Sequence, residues 1–259
     1  MSLVAESVGL SLGGRELLRE VSISIEPGQV HVVLGPNGAG KSSLLRLLSG
    51  ELQPGAGRIA LNGKALADCS PAFQARHRAV LPQSESLGFA FAVEEVVALG
   101  RLPSPRHAPG REAGIVREAL ALTDTGHLLG RRYTTLSGGE RRRVQLSRVL
   151  AQIWEPVDSG PRFLLLDEPT ASLDLAHQHQ SLRLARQFAG NGVGVLAVLH
   201  DPNLALAYGD RATVLCCGER VASGTPREVL TAETMQRVFG VRARILEDEG
   251  ARYISVLGS

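Results

Sequence analysis

Short apolar runs and helical periodicities alternate along most of the chain. Residues 21–25 alternate apolar and polar side chains, and residues 30–34 form the mostly apolar run that is typical of a buried strand. A glycine-rich loop follows that run and leads into a helical pattern over residues 41–49. Further strand-like runs lie at residues 58–61, 79–81, 163–166, 193–199, 212–216 and 221–223. Strands that alternate with helices in this way predict an α/β core.

The strand signal disappears between about residues 84 and 152, where helical patterns take over. Helices are predicted at residues 93–99, 112–122 and 140–153. In the last helix the apolar positions i, i+3, i+4 and i+7 form one buried stripe of Leu146, Val149, Leu150 and Ile153. We therefore predict a helical subdomain of about residues 84–153, inserted into a core that consists of residues 1–83 and 154–230.

The remaining residues, 231–259, are predicted to form a C-terminal extension. A short helical pattern at residues 232–239 is followed by strand-like runs at residues 242–246 and 253–257. These two runs flank a short acidic stretch that ends in glycine, which predicts a terminal hairpin.

Composition and charge narrow the possible classes of protein. The chain has 259 residues, of which 44% are hydrophobic and 21% charged, as expected for one large globular domain with an insertion. Its formal net charge of +2 gives no electrostatic reason to expect nucleic acid as a partner. The apolar runs are too short to span a bilayer, and residues 1–10 lack the parts of a secretory signal. With an odd count of 3 cysteines, we expect a reducing cytosol and membrane contact only through a partner.

The loop after residues 30–34 matches the pattern G-x-x-x-x-G-K-[ST] in full. Its glycines allow successive backbone N–H groups to surround a phosphate, and the following helix points its positive end at the anion. The Lys41 ammonium can reach the outer phosphates, and the Ser42 hydroxyl can ligate Mg²⁺. The predicted nucleotide-binding residues of this loop are Gly35, Pro36, Asn37, Gly38, Ala39, Gly40, Lys41, Ser42 and Ser43.

Two consecutive carboxylates follow the apolar strand at residues 163–166. Because adjacent side chains on a strand diverge, Asp167 and Glu168 cannot do the same job. We predict that Asp167 holds Mg²⁺ directly or through water, and that Glu168 orients and deprotonates the attacking water. With the phosphate loop, this pair predicts a P-loop NTPase and leaves a motor, a kinase and a GTPase open. The chain has no Asn-Lys-x-Asp guanine-binding motif, which argues against the GTPase.

A second anion site is predicted at the start of the helix at residues 140–153. A serine hydroxyl, free backbone N–H groups and a helix N-terminus come together there. One chain does not need two sites for one γ-phosphate, but two chains do if each offers its second site to the other's nucleotide. This predicts a twofold homodimer with nucleotide at the seam. The residues of this motif are Leu136, Ser137, Gly138, Gly139 and Glu140.

This motif resembles the LSGGE or LSGGQ signature of the ABC ATPases, and the resemblance covers almost the whole chain. It implies ATP and Mg²⁺ as ligands and a RecA-like core with an antiparallel β-subdomain and an inserted helical subdomain. Gln83 matches the glutamine that touches Mg²⁺ or water, and His200 matches the switch histidine that contacts the γ-phosphate. Both are therefore expected to act in catalysis with Glu168. The loop that crosses the dimer seam in this family is matched by Ser172, Leu173 and Asp174.

The chain departs from the family pattern near its N-terminus. Leu12 stands where the family usually has an aromatic residue that stacks on adenine. Leucine can cover the base by apolar contact, but it supplies no ring stacking. The expected ATP contact at Leu12 is therefore weaker, and so is the expected selection for the base.

Parts of the chain are similar to a narrower group within this family. Residues 79–101 resemble the ATPases of importers for iron-siderophores, haem and vitamin B12. Within that group, residues 151–162 and 174–180 are most similar to haem importers. The resemblance implies a homodimer that works with two copies of a membrane permease at the cytoplasmic face of the membrane, and indirectly with an extracytoplasmic haem-binding protein. A siderophore or B12 importer is the alternative.

Other functions are less well supported by the sequence. ABC ATPases of DNA repair carry long coiled coils and those of translation usually carry two cassettes, and this chain has neither. A small-molecule kinase would have no use for the signature motif or His200. We do not expect haem to bind this chain itself, because His177 and His179 would not share a helix face and residues 216–217 end a strand. The arginines at residues 141–143 are expected to form a solvated helix face.

Overall fold

A six-stranded sheet forms the centre of the protein in the computed structural model, which describes residues 1–83, 88–104 and 109–257. The predicted helical subdomain and C-terminal extension each include a few residues outside these ranges, namely 84–87, 105–108 and 258–259. Five neighbouring strands are parallel, and the edge strand β10 is antiparallel to β9. The sheet order is β10 (Glu219–Gly224), β9 (Arg211–Cys216), β3 (Val30–Leu34), β8 (Gly194–Val198), β7 (Phe163–Asp167) and β6 (Arg78–Leu81), with strands numbered along the chain.

Both faces of this sheet are buried. On β3, Val32 and Leu34 pack into one apolar cluster, whereas Val33 packs into a second cluster on the opposite face. On β7, Leu164 and Leu165 divide between the two clusters in the same way. Strands buried on both faces need apolar side chains at successive positions, so they read as continuous apolar runs in the sequence.

One face of the sheet is covered by helix α1 (Lys41–Leu48) and by a second sheet, which is antiparallel and four-stranded. This second sheet has the order β2 (Arg15–Ile25), β1 (Leu3–Leu12), β4 (Ala56–Leu61) and β5 (Lys64–Ala65). The other face is covered by α5 (Gly138–Gln152), α6 (Leu175–Gly190), α7 (Pro202–Tyr208) and α9 (Ala232–Phe239). The helices α2 (Pro71–His77) and α8 (Pro226–Val229) are shorter.

A third apolar cluster lies among α5 and two helices that precede it in the chain, α3 (Val93–Leu99) and α4 (Pro109–Leu122). α5 contributes Val144 and Ala151 to this cluster, and its predicted stripe of four apolar residues packs on the central sheet instead. Trp154, just beyond α5, packs against both groups. The helical region is therefore joined to the core along the length of α5.

The predicted terminal hairpin is present as β11 (Ala243–Asp248) and β12 (Ala251–Val256). The Asn203 side chain of α7 holds it, because Nδ2 donates to the Ile254 carbonyl at 3.1 Å and Oδ1 accepts from the Ile254 N–H at 2.8 Å. Among the described residues, no helix has the length and apolar character needed to cross a bilayer.

The predicted α/β fold with an antiparallel β-subdomain is confirmed, but the patterns did not predict β1 or α6. β1 contains register shifts on either side of Val8, and Ser7 has a φ of 46°, so its alternation is broken. In α6 the first residues, Leu175 and Ala176, are exposed and the next turn is polar, so the buried apolar positions begin only at Leu182. The local patterns of β1 and α6 are too weak to predict these elements, which are stabilised by packing on the core.

Candidate nucleotide-binding site

The residues predicted to bind and hydrolyse nucleotide meet at the carboxyl edge of the central sheet. The phosphate loop follows β3, Gln83 follows β6, Glu168 follows β7 and His200 follows β8. Because these strands are parallel, their carboxyl ends lie at the same edge, where open α/β sheets bind ligands. A cleft of about 530 Å³ opens there. It is lined by Arg15, Leu17, Asn37, Gly38, Ala39, Gly40, Lys41, Ser42, Ser43, Gln83, Glu168 and His200.

Two glycines are required by the path of the phosphate loop. Gly35 has a φ of 152°, and a Cβ there would lie 2.2 Å from the Leu215 carbonyl oxygen. Gly40 has a φ of 101°, and its Cβ would lie 2.8 Å from the Leu17 carbonyl oxygen. The loop is therefore packed against β9 on one side and β2 on the other, with no space for larger residues.

Lys41 closes over the loop that precedes it. Its side chain is buried, and Nζ donates to the carbonyl oxygens of Gly35 at 2.7 Å and Pro36 at 2.9 Å. Burial lowers the pKa of this ammonium, while the nearby carboxylates of Asp167 and Glu168 act in the opposite direction. Gly35 and Pro36 therefore contact the Lys41 ammonium through their carbonyl oxygens, and they are not among the residues that line the cleft.

Asp167 and Ser42 form a pair of oxygen donors beside the loop. Asp167 is 4% exposed at the end of β7, and its Oδ1 lies 3.4 Å from the Ser42 Oγ. Burial raises the pKa of Asp167, although the hydrogen bond from Ser42 opposes that shift. In the described part of the chain, no group of three or more His, Cys, Asp or Glu could hold a metal by itself. This donor set fits Mg²⁺, which usually takes one or two protein oxygens and completes its shell with water and phosphate.

Replacing the buried carboxylate of Asp167 is expected to stabilise the nucleotide-free protein, although it removes the predicted Mg²⁺ ligand. Asp167→Asn should raise the Tm of the nucleotide-free protein, because the amide removes the cost of burying a charge at this position. A carboxyl group with a raised folded-state pKa loses its stabilising contribution as the pH rises through that pKa. The gain should therefore be largest at neutral pH, shrink as the pH falls towards the ordinary value of 3.8, and disappear below that value. Thermal unfolding of both proteins at neutral pH and at a pH below that value measures it, and an unchanged or lower Tm at pH 7 would contradict the expectation.

Glu168 is held at the edge of the cleft by polar contacts. Its Oε1 lies 2.6 Å from the Nε2 of His200, and its carboxylate also accepts a hydrogen bond from the Gln83 side chain. Burial alone would raise the pKa of Glu168, but the hydrogen bonds from His200 and Gln83 and the charges of His200 and Lys41 together outweigh it and lower the pKa. The structure therefore brings an ionised carboxylate, Gln83 and His200 together beside the phosphate loop.

The signature residues lie away from this cleft. Ser137 caps α5, because its Oγ accepts from the Glu140 N–H at 3.3 Å and the Glu140 carboxylate accepts from the Ser137 N–H at 2.7 Å. None of residues 136–140 lines the cleft of the same chain. A Cβ on Gly139 would lie 3.2 Å from the Ser172 carbonyl oxygen and 3.7 Å from the Leu173 Cδ2, so this motif and the predicted seam loop are neighbours. Asp174 ends that loop as the N-cap of α6.

Two cleft residues were missed by sequence reasoning, and Leu12, the predicted ATP contact, is not among the residues that line the cleft. Leu12 is 44% exposed. The wall comes from Arg15 and Leu17 on the next strand, and Arg15 pairs with Leu12 across the β1–β2 turn. Only the turn geometry could have shown that the cleft faces β2, because neither residue belongs to a recognisable motif.

The histidines and arginines set apart in the sequence have definite partners. His177 Nδ1 lies 2.8 Å from Asp174 Oδ1, whereas His179 Nδ1 lies 2.8 Å from the Tyr208 hydroxyl, so the two rings do not converge. The expected solvated arginine face is wrong for Arg142, which donates to backbone carbonyls beside the cleft.

Sequence comparisons relate the chain to transporter subunits. The sequence model described as ABC transporter matches residues 18–171. The hemin import ATP-binding protein HmuV of Gloeobacter violaceus is 50% identical over 260 residues, which cover 99% of this chain and 94% of the relative. The protein of the same name in Pseudomonas aeruginosa is 49% identical over 245 residues, or 94% of each chain.

Solved structures agree on the fold. A metal-chelate type ABC transporter in an inward-facing conformation matches with a TM-score of 0.79 at 26% identity, over 99% of this chain and 97% of the other. The fold also matches a dimeric bacterial ABC transporter cassette, with a TM-score of 0.76 at 24% identity over 87% of this chain and 99% of the other. Since the family match covers more than half of the residues and the relatives are near full length, the chain belongs to the ABC transporter family, as an ATP-hydrolysing subunit.

Proposed function

We propose that two copies of this chain hydrolyse ATP to drive the import of haem through a membrane permease. The proposal that haem is the cargo rests on sequence identity: about half of the residues, over nearly the whole chain, are identical to those of proteins named for hemin import. In the proposed complex, the subunit lies peripherally at the cytoplasmic face of the membrane. Two permease copies and an extracytoplasmic haem-binding protein complete the system.

In the proposed site, the phosphates of ATP replace the carbonyls that now bind Lys41. The Lys41 ammonium leaves the carbonyl oxygens of Gly35 and Pro36, and backbone N–H groups of residues 37–43 surround the phosphates. Ser42 and Asp167, with Gln83 of the cleft lining, would hold Mg²⁺. That ion would supply positive charge that stabilises the phosphates. The buried Asp167 carboxylate, 3.4 Å from the half-buried Ser42 hydroxyl, supports this assignment.

Glu168 acts on the attacking water. Its low pKa keeps the carboxylate ionised at neutral pH, so it can accept a hydrogen bond from water and then the proton. The hydrogen bond from His200 is one source of that low pKa. If His200 turns to the γ-phosphate when ATP is bound, the Glu168 pKa rises and the carboxylate becomes a stronger base. His200 would thereby link phosphate binding to water activation.

The second anion site serves the partner chain in this proposal. Residues 136–140 lie outside the cleft of their own chain and beside the loop of Ser172 and Leu173. A twofold dimer would bring the Ser137 hydroxyl and the N-terminus of α5 to the partner's γ-phosphate. ATP would then be enclosed between the two chains, and hydrolysis would release them.

The proposed permease contact is a cleft of about 700 Å³ between α3 and α4, here named the α3–α4 cleft. Its lining includes Ala98, Leu102, Val116 and Leu129. Leu102 is 78% exposed and Leu129 is 46% exposed, and large apolar side chains in an exposed groove favour an amphipathic helix as occupant. A cytoplasmic helix of the permease fits this description. The sequence predicts that the permease contacts the surface around residues 83–101. Within this range, α3 borders the cleft, and residues 84–87 lie outside the described residues.

The cargo can be tested with the assembled transporter. The isolated subunit should hydrolyse ATP without haem, because specificity belongs to the permease and the binding protein. Reconstituted with its permease in liposomes, the complex should hydrolyse ATP severalfold faster with haem-loaded binding protein than with the haem-free protein. ATPase rate and haem uptake should rise together. Stimulation by a siderophore or B12 carrier, and not by a haem carrier, would refute haem as the cargo.

A variant of the α3–α4 cleft tests the coupling. Leu102→Glu should remove the stimulation by loaded binding protein and leave the basal ATPase of the isolated subunit near that of the wild type. Leu246→Glu is the matched control, because Leu246 is 50% exposed on the distant terminal hairpin. Equal stimulation of both variants would show that the permease binds elsewhere.

A further inference from the structure

We propose that Arg142 is a positioning residue for ATP hydrolysis, because its guanidinium fixes the backbone at Gln83 and Glu168 relative to the signature helix α5. The proposal rests on the roles proposed above for these two residues. It assigns a function to a side chain that sequence patterns place on a solvated helix face.

The contacts of Arg142 are unusual for an arginine on an amphipathic helix. Nη1 donates to the carbonyl oxygen of Pro82 and, at 3.4 Å, to that of Gln83. Nη2 donates to the carbonyl oxygens of Asp167 and, at 2.8 Å, of Glu168. One rigid, planar group therefore joins two backbone segments, one just beyond the end of β6 and the other at the end of β7.

These segments need support from outside the sheet. The pairing between β6 and β7 ends at Leu81 and Leu166, so the carbonyls of Pro82, Gln83 and Glu168 lie beyond it. Glu168 also has a φ of 50°, a left-handed conformation that non-glycine residues rarely adopt. The Glu168 carbonyl accepts a second hydrogen bond, from the Ala171 N–H at 3.1 Å. Arg142 and this turn together hold the backbone that aims the Glu168 carboxylate.

The position of Arg142 in the fold links two parts of the site. It lies on the second turn of α5, the helix that starts at the signature motif and packs on both the helical cluster and the core. A shift of α5 would therefore move the guanidinium against the backbone of Gln83 and Glu168. The hydrolytic carboxylate would be aligned only when the signature helix is in place.

The neighbouring arginines have no such contacts. Arg141 Nη2 donates to the Thr134 carbonyl oxygen at 2.9 Å, and Arg143 Nη1 donates to the Asp124 carbonyl oxygen at 2.6 Å. Neither side chain lines the nucleotide cleft. Arg141 therefore offers a control with the same charge, on the same helix, that also donates to a backbone carbonyl.

Arg142→Ala should lower kcat for ATP by about tenfold to a hundredfold, because small misplacements of a catalytic group have effects of that size. KM and the affinity for ATP should stay within about threefold of the wild type, since the phosphate loop is untouched. Arg141→Ala should keep kcat near the wild-type value. If Arg142→Ala does not fold, Arg142→Met, which keeps the aliphatic stem, is measured by the same criteria.

Added guanidinium separates positioning from a general loss of structure. Millimolar guanidinium chloride should restore part of the kcat of Arg142→Ala, because the ion can occupy the vacated site between the carbonyls. In a variant that is merely less stable, the same millimolar concentration would not restore activity, because it is too low to change the free energy of unfolding appreciably. Unchanged kcat in Arg142→Ala, or equal losses of kcat and ATP affinity without rescue, would overturn the proposal. Wild-type hydrolysis in Glu168→Gln would contradict the proposed catalytic site itself. Wild-type hydrolysis in Arg142→Ala, with Glu168→Gln inactive, would contradict only the positioning role of Arg142.

Discussion

Glu168→Gln should lower the rate of ATP hydrolysis by about 10²–10⁴-fold, the range expected when a general base is lost. The amide keeps the shape of the side chain but cannot take a proton from water. Glu168 is ionised at neutral pH and hydrogen-bonded by Gln83 and His200, and the amide oxygen can still accept from one of them. ATP binding should therefore be retained, and the chain should accumulate as an ATP-bound dimer.

Size-exclusion chromatography with ATP and with ADP measures the dimer, and phosphate release measures the rate. Glu233→Gln is the matched control, because Glu233 lies on the surface helix α9 and its side chain is 82% exposed. That variant should hydrolyse ATP like the wild type and should not accumulate as a dimer. A Glu168→Gln protein that stays monomeric with saturating ATP would count against nucleotide at a twofold seam. Wild-type hydrolysis in this variant would remove Glu168 from the proposed mechanism.

Lys41→Ala should abolish measurable ATP turnover and weaken ATP binding by at least about a hundredfold. The phosphates lose the cation that the loop holds in place, and buried charged contacts of this kind are worth about 2–5 kcal/mol. The variant also loses the two hydrogen bonds that Lys41 makes to the loop itself, to the carbonyls of Gly35 and Pro36.

Titration calorimetry with ATP measures the affinity, and the Tm without nucleotide shows whether the loop alone has been disturbed. Lys64→Ala is the natural control, because Lys64 is the only other lysine in the chain and lies over the Phe73 ring, outside the cleft. It should bind and hydrolyse ATP normally. Wild-type affinity and turnover in Lys41→Ala would contradict the assignment of the phosphate loop.

Much of the fold could be predicted because its strongest elements have strong local patterns. β3, β7 and β8 are buried on both faces, so their apolar runs stand out in the sequence. The order of β6, β7, β8 and β3 in the sheet does not follow chain order and could not be derived from periodicity. β1 and α6 were missed because bulges break the alternation of β1, and because α6 has no buried apolar residue before Leu182.

The phosphate loop, the Asp167–Glu168 pair and the signature motif at residues 136–140 are each a contiguous stretch of sequence that carries its chemistry within a few residues. That is why the sequence by itself determined the family, the nucleotide and the residues proposed to act on it. The structure alone decided which distant side chains share the cleft: it placed Arg15 and Leu17 in the wall instead of Leu12, and it turned Arg142 from solvent towards Glu168. The physical reason is that a motif encodes the local path of the backbone. A cleft, in contrast, is formed where strand order and helix packing bring separate segments within hydrogen-bonding distance, and no local pattern records that distance.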